Sequence, residues 1–264
     1  PNKIDKNLVS SFDLITNDLD GLFIPIEGEV SIVKLKKPQI PFTSSLWSFP
    51  DNVTISENSY RDRFPLSPYG NEDRFEHWEI DKEVFSETFN TRERRDVSLA
   101  VMNTWDQGVY QVIVKTEDSY GNEIVNKQYV TLFDCTVNEL PYPSQEWFVA
   151  LQDEVEPEQV ASFLIGSSLK QKVLVEVEHG GEILKSYWLS INKEQRQLNF
   201  PVLETYRGGF AVHFTYIKEN RLHKITESVT VPFTNKQLSI HFETFRDKLS
   251  PGQEEEWRLK IEGL

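Results

Sequence analysis

One cysteine, one methionine and five histidines are all the soft or imidazole ligands that 264 residues offer. Cys135 has no second cysteine to pair with, and no Cys-x-x-Cys exists, so neither a disulfide framework nor a thiolate metal site braces the fold. The histidines, His77, His179, His213, His223 and His241, show no His-x-His or His-x-x-x-His spacing, which removes the common local metal patterns. No apolar run approaches the roughly 18 residues of a membrane-spanning helix, and no signal-peptide pattern opens the chain. Basic charge is scarce as well: 28 Lys and Arg stand against 42 Asp and Glu, a formal net charge of −14. Without a basic run, phosphate repulsion argues against a nucleic-acid partner.

What is present is 38% hydrophobic and 12% aromatic content, enough for real cores in two domains and a remainder. The chain is organised around a stretch that recurs. Pro157 and Pro251 stand 94 positions apart, and the same offset aligns Asp153 with Asp247, Val155 with Leu249, Gln159 with Gln253, Phe163 with Trp257 and Ile165 with Leu259. Each copy reads as strand, Asp-x-aliphatic-x-Pro-x-Gln turn, strand. Proline presets φ and cannot donate to a ladder, so it belongs between the strands. A period near one hundred residues is the size of a β-sandwich domain, which predicts a tandem array.

Alternating strand patterns at 7–16 and 26–34, then at 84–90, 98–102, 109–115 and 123–133, predict a first antiparallel β domain over 1–137. Within it, 39–81 loses all periodicity but is rich in aromatics, and reads as a packed insertion rather than a linker. Asn138 to Ser144, with Pro141 and Pro143, is expected to be a stiff connector. Seven strand patterns between 147 and 233 predict a seven-stranded sandwich over 144–233, and 235–264 reads as the first strands of a third domain. The chain begins Pro-Asn-Lys and ends just after a strand, as an excised piece of a longer protein would.

Candidate sites are few. Trp47, Phe75, His77 and Trp78 lie in the insertion and could stack on a sugar ring or clamp a peptide; the same rings would also serve to anchor a long loop, the reading favoured here. Asp18, Asp20 and Asp118 sit in turns that offer too few oxygens for calcium and read as turn formers. Glu254, Glu255 and Glu256 are consecutive on a strand and alternate faces, which defeats a simple acid–base pair. Cys135 ends a strand and reads as a small buried hydrophobe. No Ser/His/Asp grouping can be assembled, so no enzyme activity and no cofactor are expected.

Phe245-Arg246-Asp247-Lys248-Leu249-Ser250-Pro251-Gly252-Gln253 resembles the opening of a macroglobulin domain in the large bacterial alpha-2-macroglobulin-like proteins, and Trp147–Ile165 resembles their bait-region-associated domain. Gly28–Pro38 and Gly108–Val112 are similar to the preceding macroglobulin domain. The resemblance implies all-β, tandem macroglobulin or immunoglobulin-like sandwiches, proteases as partners through a parent protein, and a periplasmic, outer-membrane or cell-surface location. In that family a protease cuts a bait segment and the array collapses around it, and some members hold the attacker through a Cys-x-Glu-Gln thioester. Cys135 is followed by Thr136-Val137-Asn138, so that motif is missing here. The expectation is a set of structural domains from a protease-trapping protein. The alternative is a surface module binding carbohydrate or peptide through 39–81.

Overall fold

The computed structural model describes residues 2–8, 11–18, 20–44, 52, 54–99, 101–118, 120–244, 251–252 and 256–263. The fold is all-β, with 55% strand and 8% helix in antiparallel sheets. In chain order the first strands are β1 (Asn2–Asp5), β2 (Ser11–Asp13), β3 (Glu27–Leu35), β4 (Ile80–Asn90), β5 (Asp96–Ser98), β6 (Gly108–Glu117) and β7 (Glu123–Phe133). Five of them form a sheet in the order β1-β7-β6-β3-β4, and β2 pairs β5 as a separate ribbon. All pairings are antiparallel except β1 on β7.

Strand alternation explains how this sheet has two used faces. Val30 and Ile32 of β3, Tyr110 of β6 and Leu132 of β7 point to one side, where they meet Leu14, Val97, Leu99 and Met102 from the ribbon and its flanks. That is the sandwich core. Alternation along β3 puts Val33 and Leu35 on the opposite face with Val109, while the register shifts against β4 leave Val84 and Asp81 of β4 as its extra residues. The insertion covers this second face. It contains one two-turn helix, α1 (Glu57–Arg63), capped by the Ser56 hydroxyl and braced by an Arg61–Glu57 pair. Seven residues are too few for a helix to persist alone, and Tyr60 braces this one by ring contacts, tilted on Phe64 and edge-on to Tyr69. The described residues of the insertion, though without periodicity, are therefore packed structure built on aromatic anchors.

The remaining strands are β8 (Trp147–Gln152), β9 (Val160–His179), β10 (Glu182–Pro201), β11 (Phe210–Lys218), β12 (Arg221–Val229), β13 (Leu238–Thr244) and β14 (Arg258–Gly263). Four follow the order β10-β9-β11-β12, with β8 on β9, and β13 pairs β14 alone. Five strands rather than the expected seven thus lie between 147 and 233. The sequence patterns at 159–166 and 171–178 are one strand of 20 residues, β9, and those at 183–190 and 195–202 are one strand of 20 residues, β10. The reason is visible at Gly166. It does not stop the strand; a Cβ there would lie 2.9 Å from both Cα and Cβ of Gln195, so glycine permits close backbone approach. Lys193, at φ +58°, marks an irregularity inside β10 where a break was expected.

The chain packs as two compact units. The first comprises 1–149, 163–173 and 189–198, and so runs through the proline-bearing segment 138–144; the second comprises 150–162, 174–188 and 199–264. In the second unit Val175 and Val177 stand opposite Phe214 and Val212, and with Phe210, Tyr216, Val229 and Val231 they form its buried face.

Candidate functional site

The recurring turn is well defined in its first copy. The amide of Gln159 donates to the Glu156 carbonyl at 3.2 Å, closing a four-residue turn with Pro157 second and Glu158 third. Glu158 sits at φ +72°, the left-handed position that a type II turn demands and glycine normally fills. The Gln159 side-chain oxygen accepts from the Glu156 amide at 3.3 Å. On either flank, Thr230 donates to the Asp153 carbonyl at 2.7 Å, Val155 to the Thr230 carbonyl at 3.0 Å, and Glu158 to the Val202 carbonyl at 2.9 Å. Arg207 clamps the Glu156 carboxylate at 2.9 Å, and the Thr234 hydroxyl donates to its other oxygen. In the later copy Pro251 and Gly252 are described, and Gly252 has φ +83° at the position matching Glu158; Asp247 and Gln253 lie outside the described residues.

The two copies therefore share a backbone requirement but not its solution. A non-glycine residue in this region gives up about 1–2 kcal/mol, while glycine's greater freedom when unfolded returns roughly 0.5–1 kcal/mol of that. Glu158→Gly should raise stability by up to about 1 kcal/mol, read as a higher urea midpoint at unchanged slope. A lower midpoint would show that the Glu158 side chain makes a compensating contribution.

Of the insertion cluster, the structure brings Phe75 and Trp78 together, leaves His77 exposed, and Trp47 lies outside the described residues. Phe75 and Trp78 meet edge to face at 4.7 Å and 87°, and both pack on Tyr142, at 5.6 and 5.7 Å. The Trp78 indole donates to the Glu72 carbonyl at 2.8 Å. These rings rest on Val33, Leu35 and Val109, so they fasten the insertion and its edges instead of offering a flat stacking platform. Tyr142 continues the chain of rings to Trp147 at 6.1 Å, and Phe133 meets Trp147 at 5.8 Å.

The segment from 134 to 147 is fixed at several points, and residues that sequence reasoning passed over do the fixing. Gln195 is fully buried, and its amide nitrogen donates to the carbonyls of Asp134 at 2.8 Å and Val137 at 2.9 Å. Its backbone amide donates to the Asn138 carbonyl at 2.7 Å. Gln145 donates to the Pro41 carbonyl at 3.0 Å and to the Thr43 hydroxyl at 2.6 Å, tying the same segment to the start of the insertion. Ser144 and Ser168 are joined twice: the Ser144 amide donates to the Ser168 hydroxyl, and the Ser168 amide to the Ser144 carbonyl. A glutamine inside a strand gives no periodic signal of burial; only its carbonyl partners, distant in sequence, explain it.

The titratable candidates settle into structural roles. Burial, with the carboxylates of Asp5 and Asp134 beside it, pushes the Cys135 thiol up to about 11, leaving it protonated and weakly nucleophilic at neutral pH. Asp18 and Asp118 each accept two backbone amides two and four residues on, closing matching turns. His213 lies between Glu178, 3.0 Å away, and the Thr226 hydroxyl, 2.9 Å away. His223 instead stacks on Tyr216 at 4.7 Å. Residue parity along β11 puts these histidines on opposite faces of the sheet, so they share no site.

No family model matches the chain, and no curated protein sequence matches it. Among solved structures it is similar to a tetra-tandem repeat from the extending region of a large adhesion protein, at 12% identity and TM-score 0.29, covering 82% of this chain and 45% of that one. It is also similar to native Escherichia coli alpha-2-macroglobulin, at 16% identity and TM-score 0.29, covering 100% of this chain and 15% of that one. Trypsin-activated alpha-2-macroglobulin from the same organism gives 12% identity and TM-score 0.25 over 84% of this chain and 16% of that one. The chain spans less than half the length of each of these structures.

Proposed function

We propose that this chain is a stretch of tandem macroglobulin-type sandwiches, without enzyme activity of its own, forming part of the frame of a larger periplasmic or cell-surface protease-trapping protein. In this reading 1–137 and 144–233 are successive domains, 235–264 opens a third, and the partners are those neighbouring domains and, through the parent, proteases. The observation that carries it is the fixed segment at 134–147. A connector with two prolines could be a passive tether; here every few residues are held by a buried amide, a reciprocal serine pair or an aromatic ring. The segment lies inside the first compact unit, so no free linker parts 137 from 144, and a frame that must transmit a rearrangement needs such stiffness, since a flexible linker would absorb it. The recurring Asp-x-x-x-Pro-x-Gln turn supports the tandem organisation. Of the rival, a module binding sugar or peptide through 39–81, the packing of Phe75 and Trp78 against Tyr142 supports anchoring over display.

The test is to treat the full-length parent with a panel of proteases and follow cleavage by gel and shape by small-angle scattering. One preferred cut, compaction and retained protease are expected. Scattered cuts with unchanged shape would sink the trapping role and leave a structural or binding module.

A further inference from the structure

The outward side of the second unit's sheet brings four polar side chains together from three strands. His213 of β11 stands opposite Glu176 of β9 on one side and Thr226 of β12 on the other. Glu178 lies two residues along β9 and so shares their face. Opposite residues on one face have Cβ atoms about 4.5–5.5 Å apart. Val175 and Val177 point the other way, into the core, and the four polar groups take no part in that packing.

The imidazole is held from both ends. Its Nδ1 is 2.9 Å from the Thr226 hydroxyl oxygen, and its Nε2 is 3.0 Å from a Glu178 carboxylate oxygen. In the tautomer that donates Nδ1–H to Thr226, the Nε2 lone pair and the Glu178 oxygen face one point. Two ligands bound at about 2.0–2.2 Å, with an angle of roughly 90–110° between them, lie about 2.9–3.5 Å apart. The pair is thus already at the spacing of neighbouring ligands on one metal ion. Side-chain exposures of 13% for His213 and 35% for Glu178 leave that point within reach of solvent. Glu176 faces the same imidazole and is half-buried, and its carboxylate has no hydrogen-bond or ion-pair partner among the described residues. As the side chains stand, no three His, Cys, Asp or Glu groups converge among the described residues; rotation of the Glu176 side chain about its own bonds supplies the third.

We propose that Glu176, Glu178 and His213 form a site for a divalent transition metal, zinc above all, with Thr226 orienting the imidazole from behind and water completing the shell. The donors set the class, since an imidazole nitrogen with carboxylates suits zinc whereas calcium and magnesium take oxygen alone. Zinc has no geometric preference of its own, which suits ligands presented from one flat face. Bound there, the ion ties β9 to β11, a cross-link in a chain whose single cysteine can form no disulfide within itself. Because the ligands come from two strands, the site leaves none of the histidine spacing by which local metal motifs are read.

The probe is zinc chloride titrated by calorimetry into the whole untagged chain, with and without millimolar calcium. One saturable site per chain is expected, indifferent to calcium, lost in His213→Ala, and weakened about tenfold or more in Glu178→Gln, Glu176→Gln and Thr226→Val. Zinc should also raise the urea midpoint of the wild type and leave that of His213→Ala where it was, because a ligand of the folded state stabilises by mass action. Glu176→Gln breaks no bond of the metal-free protein, so lost zinc affinity at an unchanged zinc-free midpoint separates ligation from a folding effect. The proposal is overturned by the absence of saturable binding, by a site that survives in His213→Ala, or by full affinity in Glu176→Gln. Zinc uptake that calcium displaces would belong to scattered surface carboxylates and overturns it as well.

Discussion

Trp147→Ala should lower stability by about 3–5 kcal/mol, the range for removing a large buried aromatic ring. Trp147 is 1% exposed. It has Phe133 against it at 5.8 Å and Tyr142 at 6.1 Å, and the Lys3 ammonium 4.8 Å from the ring centre. Truncation would therefore remove the transfer energy of the indole, leave a cavity, and unseat Tyr142 from the rings that fasten the insertion. The indole N–H is buried without an acceptor among the described residues, so Trp147→Phe removes an unsatisfied donor along with part of the ring. Phenylalanine should thus recover more than half of the loss. Urea unfolding followed by far-ultraviolet circular dichroism checks both variants. If alanine shifted the midpoint by less than the equivalent of about 1 kcal/mol, Trp147 would not be the keystone that its burial implies.

How much of this was legible in the sequence depends on the range of the signal. Period-two alternation placed β3, β4, β6 and β7 closely, because each strand's own residues record which face is buried. The Pro157 turn was legible for the same reason, and the structure adds that Glu158 and Gly252 meet one φ requirement with different residues. Glycine in a strand reads equally as an end or as a close approach, and at Gly166 only Gln195 across the pair decides. That ambiguity hides the length of β9; the second merger, in β10, runs through Lys193 at φ +58°. The insertion was legible as aromatic and packed, but not as a clamp closed by Tyr142, because that ring lies beyond β7 in the chain.

Gln195→Leu isolates the hydrogen bonds from the packing, because leucine keeps most of the volume while removing the amide. The wild-type amide nitrogen serves two carbonyls at once, those of Asp134 and Val137, and both would be left without this donor in a region closed to water. Leaving a buried acceptor unmet costs about 1–3 kcal/mol, so a total of roughly 2–4 kcal/mol is expected, against less than about 1.5 kcal/mol for a volume-conserving swap in an apolar site. Gln195→Glu offers the contrasting result. A carboxylate has no N–H to give, so it would face both carbonyls with negative charge and should be worse than leucine, and worse at neutral pH than at acid pH, where protonation restores one donor. Amide exchange should show where the loss falls: in both variants the peptides covering 134–145 should exchange faster, while those covering β11 and β12 keep their protection. Uniform acceleration throughout the chain would mean that Gln195 contributes to global stability alone, and the case for a deliberately stiffened joint, on which the proposed frame depends, would fall with it.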